Sequence, residues 1–295
     1  MMTPLVTVVT PTYNREEYLP SLFESLKLQS NHNFDWLIID DGSTDNTESV
    51  VNSFKDDAPF PIEYIKKENG GKHTALNLAF KTVNARYTFI VDSDDTLTAD
   101  AIQLIYDNDQ TIMENNLAGV AFLRGYTETN VIGTAFPDNG IFNDLDIRFR
   151  YKAIGDKAEV YRTDILKKHS FPVFENERFQ GENYVWWQIA MEYDMLYVNS
   201  IVYITEYLPD GLSKSGRKLR INCPFGGMEN SRIGLNKKFP LKQRIKCAWL
   251  YICYGLFAKK SFCKIIKSSD SPALIIPNLP FGFMLYFYWG KKYKD

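Results

Sequence analysis

Cysteine and histidine are scarce: the 295 residues include four of the first and three of the second. Cys223, Cys247, Cys253 and Cys263 form neither a C-x-x-C pair nor the even spacing of a disulfide framework. His32, His73 and His169 stand apart, so no zinc spacing arises. The familiar glycine loops are missing as well. No Gly-x-Gly-x-x-Gly follows the first strand-like run, which argues against a dinucleotide site. The absence of a Walker lysine loop and of a Gly-x-Ser-x-Gly elbow removes P-loop NTPases and Ser-His-Asp hydrolases. No signal-peptide pattern precedes the first strand, since Met1 to Thr10 runs straight into it. With these cysteines, a reducing, cytoplasmic location is expected, at the inner face of the membrane if the tail binds there.

What is present is ordinary in bulk and uneven in distribution. An apolar fraction of 45% and a charged fraction of 24% belong to a folded globular chain, long enough for one large domain with an appendage. The net charge of −2 hides an asymmetry. From Lys214 onward there are 17 Lys and Arg against three acids (Glu229, Asp270, Asp295), leaving 17 basic and 33 acidic residues before it. That shift divides the chain into a body, 1–213, and a basic, aromatic-rich extension, 214–295, expected to be helical. A basic tail suits an anionic partner such as phosphates, nucleic acid or a membrane surface.

The body alternates strands and helices. Leu5 to Thr10 is a β-rich run stopped by Pro11, and Arg15 to Ser30 is an amphipathic helix with Tyr18, Leu22, Phe23, Leu26 and Gln29 at helical spacing. Phe34 to Ile39 is a second strand, and Asp45 can cap the helix after it. Ile62 to Ile65 is a third strand, Lys72 to Val83 a helix, and Tyr87 to Val91 a fourth strand. Four such alternations in about a hundred residues predict an α/β fold with a mostly parallel sheet flanked by helices. Beyond Asp100 the pattern predicts a helix over 102–113, a hairpin over 119–136, a strand over 157–162, short helices at 164–169 and 184–192, and one or two strands over 195–207.

Each of the first four strands ends in residues that can do chemistry. These are Pro11-Thr12-Tyr13-Asn14, Asp40-Asp41, Asn69-Gly70-Gly71-Lys72 and Asp92-Ser93-Asp94-Asp95. Strands of an open α/β sheet present such ends along one edge, where ligands bind. The last group is the most telling. Three carboxylates within four positions repel one another, and a hard cation such as Mg²⁺ or Mn²⁺ relieves that penalty. Capping of a helix near Thr98 by Asp95 or Ser93 explains one acid but not three.

In this order, Val8-Val9-Thr10-Pro11-Thr12-Tyr13-Asn14-Arg15, Ile39-Asp40-Asp41-Gly42-Ser43-Thr44-Asp45, Asn69-Gly70-Gly71-Lys72 and Asp92-Ser93-Asp94-Asp95 resemble the N-terminal half of family 2 glycosyltransferases. The resemblance covers roughly residues 4–210. It implies a GT-A fold with a Rossmann-like nucleotide-binding half, a nucleotide-sugar donor (UDP favoured) and inversion at the anomeric carbon. It also implies a saccharide or lipid-linked acceptor rather than nucleic acid, and Mn²⁺ or Mg²⁺ as cofactor. Carried over by position, Pro11, Thr12 and Tyr13 line the base pocket, and Asp41, with Asp40, accepts a hydrogen bond from the base. Lys72 approaches the diphosphate. Asp92 and Asp94 fill the D-x-D positions, with Asp94 as metal ligand and Asp95 as an alternative one. A cation at the start of a helix opposes the helix dipole, which favours an anionic partner for Lys72.

Inverting transfer to a hydroxyl needs a general base. The family's acidic pair before a helix corresponds here to Glu182-Asn183, and an amide cannot serve, so Glu182 is the expected base, with Asp156 and Asp210 as alternatives. Trp186 or Trp187 could supply a sugar platform. In the run Asp210 to Arg217, which resembles a donor-closing segment, Lys214 or Arg217 is expected at the diphosphate. Two rival readings stand beside this one. A sugar-nucleotide pyrophosphorylase needs a glycine-rich, arginine-bearing loop where Pro11-Thr12-Tyr13-Asn14 stands, and a non-catalytic nucleotide-sugar or glycan-binding module draws on Asn183. In the tail, Cys247 to Ala258 lacks charge between basic flanks, and Pro277 to Trp289 is aromatic but interrupted by Pro280 and Gly282. Both fall short of the ~20 residues that span a bilayer, so an interfacial contact or a helical packing face is expected.

Overall fold

The structure, a computed structural model, describes residues 4–205 and 212–293, with the side chains of 212–215 excepted. Asp210 and the side chain of Lys214 therefore lie outside the described residues. The chain divides into two compact units: Met1–Ser170 with Glu192–Tyr207, and Phe171–Met191 with Leu208–Asp295.

The first unit is built on one sheet. Strand β1 (Val6–Thr12) is buried along its whole length, as a run of β-branched residues covered on both faces should be. Helix α1 (Leu19–Lys27) follows, then β2 (Phe34–Asp40), α2 (Thr47–Phe54), β3 (Ile62–Lys66), α3 (Lys72–Thr82) and β4 (Tyr87–Ile90). β1 pairs in parallel with β2 and β4, and β2 with β3. Contrary to expectation, β1 continues through Pro11. The β1–β4 pairs end at Val9 and Ile90, so Pro11 is paired with Ile39 on one side only, where a missing N–H is tolerated. α1 begins later than its periodicity suggests. Pro20 stands at its first turn, and the backbone N–H groups of Arg15 and Glu16 donate instead to the Thr47 hydroxyl and the Asp45 carboxylate.

Beyond β4 the sheet becomes mixed. Strand β5 (Asp95–Leu97), helix α4 (Ala101–Glu114), β6 (Gly119–Thr127), the short β7 (Asn130–Val131) and β8 (Gly140–Phe142), β9 (Lys157–Arg162), α5 (Thr163–Leu166) and β10 (Met195–Thr205) complete it. The order is β3-β2-β1-β4-β9-β6-β10-β5, with β9 antiparallel to both β4 and β6. The α/β class is as expected, but only the β1 to β4 part is purely parallel. The expected hairpin after residue 119 is present, with a second strand of only two residues.

Strand β5 has no counterpart in the sequence pattern: three residues are too short for a periodic signal. Its antiparallel pairing with Tyr203, Ile204 and Thr205 pulls Asp95 into the sheet, so Asp95 does not cap α4. Gln29 secures the same segment from the other side. Its buried amide donates to the Thr98 carbonyl at 2.8 Å and accepts from the Ile102 N–H at 3.1 Å. Behind the sheet, Phe23 stacks on Phe54 with ring centroids 4.3 Å apart, next to Trp36, whose indole N–H donates to the Thr10 hydroxyl. Each such ring contributes about 2–3 kcal/mol when removed from water.

The second unit is helical. It contains α6 (Asn183–Ala190), α7 (Leu212–Asn222), α8 (Pro224–Ile233), α9 (Leu241–Phe257), α10 (Phe262–Lys267) and α11 (Pro272–Tyr293). Its core includes Leu235, Tyr251, Ile252, Ile265 and Ile275. α9 and α11 touch at Gly282, where a Cβ would lie 2.5 Å from that of Ile252, so any larger residue there would force the helices apart. The uncharged run from Cys247 is thus the packing face of α9. α11 buries its own inner face and leaves Ile276, Phe281, Phe283, Met284, Phe287 and Tyr288 exposed. Among the described residues, no helix is long and apolar enough to cross a membrane.

Candidate active site

The carboxyl ends of β1, β2 and β3 are laced together by side chains. Asn14 adopts φ 51° after β1, its N–H donating to the Ser43 hydroxyl while its side-chain oxygen accepts from the Thr44 N–H. Asn tolerates this left-handed conformation because its short polar arm bonds locally. Pro11 and Thr12 are buried, and the Thr12 hydroxyl has no hydrogen-bond partner. Tyr13, 45% exposed, is the residue of the three that offers a ring to a ligand.

Asp40 and Asp41 are both buried and both engaged. Asp40 accepts from the Ser43 N–H at 2.8 Å, the Ser43 hydroxyl at 2.6 Å and the Tyr64 hydroxyl. Asp41 accepts from Lys67 Nζ at 2.5 Å and from the N–H groups of Gly70 and Gly71 at 2.9 and 2.7 Å. A carboxylate offers about four acceptor sites, so each retains room for about one more donor. Asp40 shapes the turn after β2. Asp41 draws the Asn69-Gly70-Gly71 loop against it and so places the start of α3. Gly42, at φ +85°, makes this approach feasible: a Cβ there would meet the Asn69 nitrogen at 2.9 Å.

α3 carries Lys72 to the acid cluster. Its Nζ lies 2.6 Å from Asp92 Oδ1, both side chains being partly exposed. Burial opposes ionisation of Asp92, but Lys72 and then Arg124 outweigh it and hold the carboxyl below its usual range. His73, the next residue, is a buried core position of α3, and burial holds its imidazole neutral.

Asp95 is fixed differently. The Tyr203 hydroxyl donates to Asp95 Oδ2 at 2.8 Å and accepts from the Asp92 N–H at 2.8 Å, bridging the two ends of the acidic turn. The Arg124 guanidinium lies 3.9 Å from the Tyr203 ring centroid and 3.8 Å from Asp95 Oδ2. Burial and the neighbouring Asp92 push the Asp95 carboxyl up to about 7, against the pull of Tyr203 and Arg124. Asp94, between them and half-buried, has no hydrogen-bond or ion-pair partner among the described residues.

Among the described residues, no group of three or more acidic, histidine or cysteine side chains gathers as a metal cage. That donor set still fits Mg²⁺ or Mn²⁺. Such ions are bound through one or two carboxylates, with water and substrate phosphates completing the shell. Among the described residues, Asp94 has no hydrogen-bond or ion-pair partner and Asp95 Oδ1 takes part in no hydrogen bond.

Glu182 stands in the second unit at the N-cap of α6, half-buried, without a side-chain cap bond. Asn183 is the first residue of that helix. Trp186 packs edge-on to Phe171, and Trp187 edge-on to Phe239 with centroids 5.1 Å apart. Arg217 has its guanidinium over Trp289, 4.7 Å from the centroid, and Asp156 is exposed in the first unit. The site also uses residues without a motif: Tyr64, Lys67, Arg124 and Tyr203. A usable signal existed for two. An arginine in the apolar run Gly119–Tyr126 and a lysine among the first strand ends need partners.

The sequence profile described as Glycosyl transferase family 2 matches residues 7–162, which contain every one of these strand ends. The chain belongs to glycosyl transferase family 2. It is 30% identical over 217 residues to a teichoic acid poly(glycerol phosphate) polymerase of Staphylococcus epidermidis, covering 68% of this chain and 27% of that protein. It is 37% identical over 108 residues to a minor teichoic acid biosynthesis protein of Bacillus subtilis, covering 35% of this chain and 24% of that one. The chain thus spans about a quarter of the length of these curated relatives. Among solved structures, S. aureus TarS superposes with a TM-score of 0.61 at 18% identity, over 100% of this chain and 56% of TarS. A mannosyltransferase of Pyrobaculum calidifontis, solved with GDP-Man and Mn²⁺, gives 0.58 at 16% identity over 100% and 89%. Such likenesses carry the GT-A fold.

Proposed function

We propose that the chain transfers a sugar from a nucleotide donor, UDP-linked, to a hydroxyl of a glycan or lipid-linked saccharide during assembly of a cell-envelope polymer, with inversion and with Mn²⁺ or Mg²⁺. The observation that carries this is Asp94, without a partner among the described residues, set between the Asp92–Lys72 pair and the Tyr203-held Asp95 at the edge where β1, β2 and β3 also end. The teichoic acid names of the relatives support the polymer class. Residues 1–213 form the catalytic domain in this proposal, and 214–295 its extension.

Tyr13 packs on the nucleobase, and base–aromatic stacking contributes about 1–3 kcal/mol. Pro11 and Thr12 form the floor beneath it. The remaining acceptor site of Asp41 takes the imide N–H of uracil, with Asp40 holding the turn. Lys72, with three donors, keeps Asp92 and adds a phosphoryl oxygen. Asp94 and Asp95 would hold the cation, which would neutralise charge on the departing diphosphate when bound. Glu182 takes the proton of the acceptor hydroxyl. The acceptor oxygen bonds to the anomeric carbon on the face opposite the diphosphate, and the carbon–oxygen bond to UDP breaks with its electron pair going to UDP.

The exposed aromatic face of α11, with Lys260, Lys264 and Lys267 near the α9–α10 turn and Lys291 and Lys292 at its end, suits the surface of an anionic bilayer. Sedimentation with phosphatidylglycerol vesicles, but not with phosphatidylcholine ones, is the expected result.

A panel of nucleotide sugars with Mn²⁺, scored for nucleotide release with and without saccharide acceptors, tests the main proposal. A UDP-sugar should be turned over, and Glu182→Gln should lose transfer while keeping UDP affinity. Full activity in that variant moves the base elsewhere, and UDP binding without turnover of any donor refutes the proposal.

A further inference from the structure

The second unit contains a cavity of about 50 Å³, walled by Phe179, Gly181, Arg220, Gly226, Asn230 and Tyr254 among others. Its chemistry is unfinished. Asn230 Oδ1 is buried without a hydrogen-bond partner. Gln180, 5% exposed, has neither amide atom partnered and lies directly behind the glycine wall: a Cβ on Gly226 would be 2.7 Å from Gln180 Oε1. A buried acceptor left open, such as Asn230 Oδ1, costs about 1–3 kcal/mol unless something fills it. Arg220 stands at the wall, exposed, 5.8 Å from the Phe179 ring centroid and with no acidic partner among the described residues.

The two glycines let the wall pack closely on its neighbours. A Cβ on Gly227 would strike the Tyr254 ring at 2.9 Å, and one on Gly226 would strike the Gln180 amide oxygen at 2.7 Å and the Phe179 carbonyl at 2.9 Å. The N-terminus of α8 cannot serve an anion here, because Glu177 already accepts from the N–H groups of Phe225 and Gly226, both at 2.8 Å. Recognition of an anion therefore falls to Arg220, whose planar fork matches a phosphate. Asn230 Oδ1 wants a donor, which a hydroxyl supplies. The Phe179 and Tyr254 rings offer apolar faces to a carbon chain. At roughly 10–15 Å³ for each water-sized group, the cavity admits the end of a ligand, not a whole ring.

We infer that this cavity is a subsite for a hydroxylated phosphate ester, a polyol phosphate or sugar phosphate unit, with Arg220 on the phosphate and Asn230 on a hydroxyl. The inference rests on the proposed function, which it deepens: Gly181 directly precedes the proposed base Glu182, so the subsite belongs to the acceptor. A donor diphosphate shares part of this chemistry, and the test separates the two sources.

The full chain is titrated with glycerol 3-phosphate, with glycerol and, separately, with UDP plus Mn²⁺, using ligand-observed NMR. Glycerol 3-phosphate should bind more tightly than glycerol by about ten-fold or more, as a charge-assisted bidentate contact warrants. Arg220→Gln should remove that advantage, and Asn230→Ala should weaken both ligands, with UDP affinity unchanged in each. Arg220 is exposed, so its variant should fold as wild type does, which a melt checks. Glycerol 3-phosphate bound equally by wild type and Arg220→Gln overturns the inference, as does no binding at all, which means ordered water only. Parallel loss of UDP affinity assigns Arg220 to the donor and also overturns it. Failure of wild type to bind UDP counts against the proposed function, not against this cavity.

Discussion

Replacing Tyr203 by Phe removes one oxygen atom and keeps the ring that packs edge-on to Phe89 and beneath Arg124. Two hydrogen bonds go with it, one buried and one partly buried. The Asp92 N–H loses its acceptor, at about 1–3 kcal/mol for a buried donor left open, and Asp95 loses a charge-assisted donor. Some relaxation offsets this, so a net loss of about 2–4 kcal/mol in urea unfolding is expected at pH 8, where Asp95 is mainly ionised. A double-mutant cycle with Asp95→Asn isolates the hydroxyl–carboxylate part and should show a coupling of about 1–2 kcal/mol. Because the hydroxyl ties Asp92 to Asp95, nucleotide release should fall as well, chiefly through a raised KM for the donor. A loss under about 0.5 kcal/mol together with an unchanged donor KM would refute this network.

Lys72→Met leaves Asp92 without its partner at 2.6 Å and should raise the donor KM about ten-fold in a nucleotide-release assay, with a smaller change in kcat. Asp40→Ala strands the Ser43 and Tyr64 donors in a buried turn and should cost about 3 kcal/mol of unfolding free energy in urea. Burial pushes Glu159 up to about 7 despite Arg148 at 3.0 Å, so the folded state holds its proton to higher pH than the unfolded chain does. The resulting penalty is absent below the ordinary carboxylate range and complete above pH 7. Glu159→Gln should therefore gain stability relative to wild type between pH 5 and pH 8, by up to about 3 kcal/mol, and a pH-independent difference would contradict the burial argument.

Much of the nucleotide half was legible because its chemistry sits at the ends of short periodic strands. Asp40, Asp41 and Asp92 through Asp95 each follow a run whose apolar character announces a buried strand, Lys72 follows a partly exposed one, and the sheet gathers those ends without help from distant sequence. The supporting residues were not legible for the opposite reason. Tyr203 is 108 residues from Asp95, inside a strand where a tyrosine looks like core, and only the antiparallel pairing of β5 with β10 brings the two together. Strand β5 itself is too short to show a period. Arg124 and Glu159 could have been flagged as charges on buried strands, but their partners come from the antiparallel half, whose register no local pattern gives. Asp40 and Asp41 show how little a motif says about roles: the sequence offers two adjacent acids, and the structure engages one with a turn and the other with a loop and a lysine.

Asp94→Ala is the most direct single test. Asp94 has no partner among the described residues, so its removal should leave the urea midpoint within about ±0.5 kcal/mol of wild type. Nucleotide release from a UDP-sugar with Mn²⁺ should drop by about a hundred-fold or more, as loss of a charge-stabilising group at the leaving diphosphate requires. A stable variant that releases nucleotide as fast as wild type would contradict the assignment of the acidic turn to the donor.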